Sequence, residues 1–154
     1  MSISALAVSG PRQLSVAPGG SQLESICDDL QEAGLKFVVE GFREPWPVDV
    51  ATDLLIVLEQ LPTVEKQLLA GTPAALDFYE QGIERSLAIT VHDDMAAVAR
   101  TGLTAAIAPG DEVLPLRELL TQLVTLRRDF AALVGRVYPG LELESATRLV
   151  LGPS

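Results

Sequence analysis

The segment from residue 114 to 137 most narrows the folds open to this chain. Leu116, Leu119, Leu120, Leu123, Leu126, Phe130, Leu133, Val134 and Val137 return at spacings of three and four. That spacing draws one apolar stripe along a helix. Asp111 and Glu112 lie near its start and Arg127, Arg128 and Arg136 toward its end, as a helix dipole favours. Tyr138-Pro139-Gly140 closes it. So long a stripe must lie on something. It could join two copies as a homodimer, but packing into the chain's own core is the simpler use.

Residues 74–102 offer the surface to pack against. "AALDFYEQ" and "IERSLAITV" flank Gln81-Gly82, where glycine suits a tight turn. Leu87, Ile89 and Val91 point one way along the second strand, and Glu84, Ser86, Ala88 and Thr90 the other. His92-Asp93-Asp94 makes the next turn and "MAAVART" returns as a third strand. The expected fold class is α+β: an antiparallel β-meander packed against the long C-terminal helix and one or two further helices. At 154 residues and 48% hydrophobic, the chain suits a single packed domain over 1–154. With 5% aromatic residues, its core must be aliphatic.

Elsewhere the signals are local. Residues 1–20 read as two short strands, a hairpin, or a loose N-terminal arm. Ser21 with Glu24 has capping-box spacing. Leu23, Ile26, Cys27 and Leu30 then form a helical stripe that Gly34 stops. "LKFVVEGF" reads as a strand, and "REPWPVDV" as an extended connection clamped by Pro45 and Pro47. "ATDLLIVLEQL" fits a buried strand or a helix. Helical leucine spacing favours the helix, capped by Thr52 or Asp53, with Pro62 starting a second short helix that ends at Gly71. "LELESATRLVL" is a short terminal strand or helix.

The net charge is −10. The first 20 residues hold one base and no acid, and residues 113–154 hold five bases against four acids, so the excess lies in 21–112. Nucleic acid and anionic membranes are poor partners for such a chain, and a protein with a basic surface is the favoured one. The lone Cys27 offers no disulfide framework or thiolate cluster, which suits the cytoplasm. No apolar run reaches the ~20 residues of a membrane span.

No catalytic site, metal site or cofactor is expected from the residues present. Cys27 sits on an apolar stripe and His92 in a turn, so a Cys-His dyad is not expected. His92, Asp93 and Asp94 have no supporting metal-ligand spacing. There is no "GxSxG", no "GxGxxG" and no phosphate loop. The carboxylate pairs Asp49–Asp53 and Glu80–Glu84 read as surface groups. Arg85 shares a strand face with Leu87 and Ile89, and Asp77 or Glu80 could pair with it. The expected partner-binding set is therefore Trp46, Asp49, Glu80, Glu84, Arg85, Asp93 and Asp94. Trp46, held between prolines, is either an interface anchor or a core staple.

The order of a leucine-rich helix, an "LLAGTP" break, the "LDFYEQGIERSLAITV" hairpin and a third strand resembles small acidic bacterial immunity proteins of polymorphic toxin systems, over about residues 50–103. The resemblance implies a non-catalytic inhibitor that binds and neutralises a toxin, here one with a basic surface. The alternative is a small acidic export chaperone or adaptor holding a partner's segment.

Overall fold

The computed structural model describes residues 2–6, 11–16, 18–41, 44–46, 48–78, 85–102 and 111–152. In chain order its elements are β1 (Ser2–Leu6), α1 (Gln22–Glu32), β2 (Lys36–Gly41), β3 (Glu44–Trp46), a π-helical turn (Val50–Leu54), α2 (Leu55–Leu69), β4 (Ala74–Phe78), β5 (Arg85–His92), β6 (Met95–Gly102), β7 (Asp111–Pro115), α3 (Leu116–Val137) and α4 (Ser145–Leu151). The fold is α+β. Both sheets are antiparallel: β1-β2-β3 and β4-β5-β6-β7.

The meander forms as its alternation requires. Leu76 faces Leu87, and Ile89 faces Val98, so these inward side chains share one face. All four are buried, while Thr90 and Thr101 on the opposite face are exposed. Asp93 has φ 53°, the only described non-glycine residue in the left-handed region. An aspartate tolerates that conformation, which lets Asp93-Asp94 join β5 to β6 in two residues. The Gln81-Gly82 turn lies outside the described residues.

β7 replaces the expected start of the long helix. Pro115 disfavours helical backbone at the residue before it, so Asp111 and Glu112 enter a strand paired with β6 and α3 begins at Leu116. α3 buries Leu119, Leu123, Leu126, Phe130, Leu133, Val134 and Val137. It packs on α2 and β1, with further contacts to β6, β7 and α4. The stripe is thus core, continuous with Leu54, Leu58 and Leu61 of the α2 region and Ile26 and Leu30 of α1.

Four expectations differ from the structure. β1 is an edge strand of the first sheet, but residues 11–16 form no second strand. Pro62 starts no helix; it sits inside α2, where it removes the donor that would reach the Leu58 carbonyl and sets its ring against that carbonyl. The cap before the leucine run is Asp49, whose Oδ1 accepts from the N–H of Thr52 and Asp53 at 2.7 and 3.0 Å. Asp53 returns the bond by accepting from the Asp49 N–H, and it is fully buried, so this carboxylate pair is a reciprocal cap and Asp53 is no surface group.

Three glutamine amides dock segments far apart in sequence. Gln22 donates to the Glu142 carbonyl and accepts from the Glu144 N–H. Gln31 accepts from the N–H groups of Val50 and Ala51, otherwise free at a helix start. Gln60 donates to the Asp77 carbonyl at 3.0 Å and accepts from the Asp77 N–H at 2.9 Å, closing part of the β4 edge.

Candidate functional site

Cys27 and His92 lie on separate elements, α1 and the end of β5. Cys27 is fully buried on α1, and burial, with the nearby charges of Asp28, Glu59 and Asp49, pushes its thiol far above the usual range. It therefore carries a proton, the inert form of the group. His92 is exposed at the end of β5. Among the described residues no three His, Cys, Asp or Glu side chains are grouped to hold a metal.

Among the expected partner-binding residues that are described, Arg85 does not converge with Asp93 and Asp94. Asp93 and Asp94 are exposed at one end of β5, and Arg85 is half-buried at the other, about 24 Å away along an eight-residue strand. Arg85 shares the inward face with Leu87 and Ile89, as expected, but lies opposite Phe78, while Asp77 lies opposite Ser86. Arg100, given no role by the sequence reading, is buried opposite Leu87 on the same face. Asp49 is occupied as a cap. Trp46 of β3 pairs through its backbone with Val39 of β2; the anchor and staple readings of its side chain lie outside what is described, as do Glu80 and Glu84.

A half-exposed ionic latch joins the N-terminal segment to α1 and to the end of α3. Arg12 forks onto Asp29 at 2.8 and 2.9 Å, and Tyr138 donates its hydroxyl to the same carboxylate at 2.6 Å. The Arg12 bonds hold the Asp29 carboxyl below its ordinary range, against partial burial and with help from Tyr138. Burial, then the bond to Asp29, pushes the Tyr138 phenol up.

Two surfaces remain as candidates. The first is acidic. Glu24, Asp28 and Glu32 on α1, Glu40 on β2 and Glu59 on α2 are all exposed, and Lys36 is the exposed base in the same stretch among the described residues. α1 packs against both the π-helical turn and α2, so Asp28, Asp49 and Glu59 lie on neighbouring elements.

The second runs along the outer side of α3. One open hollow of about 710 Å³ is lined by residues that include Leu69, Asp94, Arg117, Leu120, Thr121 and Val124. A second, of about 640 Å³, continues from Val124 and Arg128 past Ala131, Ala132 and Gly135 to Leu151 and Gly152 of the C-terminal end. Its wall is held by Arg127, which forks onto Glu65 of α2 at 3.1 and 2.6 Å. The sequence reading missed this surface, although Val124, Ala131, Ala132 and Gly135 stand where the outer face of a helix would ordinarily carry charge.

Comparison of the chain with protein-family models, with curated proteins and with solved structures found no match. No described helix is long and apolar enough to cross a membrane.

Proposed function

We propose that this protein is a non-catalytic protein-binding module of the immunity type, which neutralises a basic toxin in the cytoplasm by covering it with an acidic face. The observation that carries the reading is the segregation of charge. Glu24, Asp28, Glu32, Glu40 and Glu59 are presented on three regular elements, against Lys36 and Lys66 as the exposed bases described on them. Such a face raises the rate of encounter with a positive surface and repels nucleic acid. No catalytic role is assigned to Cys27 or His92.

Affinity purification of the tagged full-length chain tests this, beside a Glu24→Lys/Glu32→Lys/Glu59→Lys variant. The expected result is a basic protein held by the wild type, released by ~0.5 M salt, lost from the variant, and toxic when expressed without the wild-type chain. Absence of a basic partner, or capture indifferent to the three reversals, overturns the reading. The groove along α3 favours a second reading, an adaptor or export chaperone that holds a segment of its client.

A further inference from the structure

We propose that the outer face of α3 is a docking groove for an acidic amphipathic helix of a partner protein. The inference rests on the adaptor reading of that groove and is independent of the acidic face. At 3.6 residues per turn, Arg117, Val124, Arg128, Ala131 and Gly135 fall within an arc of about 60°. From Arg117 to Gly135 the helix rises ~27 Å, the length of an 18-residue partner helix lying alongside. Leu120 and Val124 give the first half of the groove an apolar floor. Ala131, Ala132 and Gly135 make the second half shallow in side chain, so another helix can come close there.

Charge selects the occupant. In a chain of net charge −10, this stripe carries two exposed arginines. The carboxylates of α3 itself, Glu118 and Asp129, lie about 80° and 100° round the helix from its nearest member, Arg128. Arg128 meets Asp129 only at 3.4 Å with both side chains mostly in solvent, a contact that competes weakly with a bound carboxylate. Glu65 in the wall is already neutralised by Arg127. Asp94 alone opposes them, at one end. The sign of the groove is thus reversed relative to the molecule. A helix with apolar residues at three- and four-residue spacing and carboxylates beside them matches both the floor and the two guanidinium groups.

The test pans a phage-displayed library of random 18-residue peptides on the full-length protein and measures the enriched peptides by fluorescence anisotropy. Enriched sequences should carry apolar residues at three- and four-residue spacing flanked by Asp or Glu. Their affinity should fall about tenfold or more for Arg117→Glu/Arg128→Glu. It should fall also for Gly135→Leu, which fills the floor; a Cβ at exposed Gly135 meets nothing within 4 Å, and an unchanged melting temperature checks that the variant keeps its fold. Both changes leave the acidic face intact, so capture of a basic protein survives them and the two proposals fail separately. Enrichment of basic or non-periodic peptides overturns the inference, as does binding that neither variant changes by twofold. A full-length dimer that Gly135→Leu dissociates would make a second copy the occupant and overturn it equally.

Discussion

Gln60→Leu removes the amide that closes the β4 edge while keeping the side chain near its original size. The wild-type amide makes two bonds to Asp77, at 3.0 and 2.9 Å, and one to the Ile56 carbonyl. The Ile56 bond lies within α2 and is worth little. The two to Asp77 carry the docking of α2 on β4. At ~0.5–1.5 kcal/mol net per bond, their loss costs about 1–3 kcal/mol. Both residues are only half-buried, so water can reach the freed groups and the lower half of that range is expected. Gln60→Glu separates geometry from size: a carboxylate can still accept from the Asp77 N–H but faces the Asp77 carbonyl with an oxygen. It should therefore cost at least as much as Leu above pH 6 and less near pH 4, where it is protonated. Urea melts at both pH values give the losses, and amide exchange at Asp77 reports the edge directly. A loss under ~0.3 kcal/mol in Gln60→Leu, with Asp77 exchange unchanged, would refute a docking role for the amide.

Leu123→Ala and Phe130→Ala, at positions essentially without exposure, should each cost ~2–5 kcal/mol by leaving cavities; melts showing under ~1 kcal/mol would place the α3 stripe outside the core. Asp29→Asn tests the latch through pH. The folded-state carboxyl titrates below its unfolded value, so its contribution is present above about pH 4 and is lost as pH falls through the folded value. The stability gap between wild type and Asp29→Asn should therefore close as pH drops below about 4; a gap constant from pH 7 to 2 would show that the charge is not what the latch uses.

The elements legible in the sequence were those in which one signal had no competitor. The α3 stripe, the β4–β5–β6 alternation and the Ser21 cap each express a single periodicity or a local bond, and the Ser21 side chain does accept from the Glu24 N–H. Errors arose where two readings were locally equal. Asp49, Thr52 and Asp53 can all cap, and Asp49 prevails because Gln31, from α1, ties down Val50 and Ala51 just beyond it. Pro62 reads as a helix start, but its neighbours Leu58, Leu61 and Val64 are all buried, and that packing outweighs one lost hydrogen bond. The three-stranded sheet was invisible for a related reason: β1 and β2 are paired across an intervening helix, and no local pattern encodes that.

The binding surfaces were half legible, and the reason is that charge is counted along a chain but acts in space. The excess of acid in residues 21–112 was plain. Its focus was not, because Asp53 and Asp29 are consumed by a cap and a latch, and Asp93 and Asp94 stand beside the start of α3. What remains exposed on regular elements earlier in that stretch is the carboxylate set on α1, β2 and α2. The nearly balanced C-terminal segment concealed the opposite feature. Its arginines divide by helical angle: Arg127 turns toward Glu65 and supports the wall, while Arg117 and Arg128 line the groove. A sum over residues 113–154 averages these roles to about zero. Only the helical phase of each arginine, together with the buried carboxylate that claims Arg127, separates a basic groove from a neutral helix.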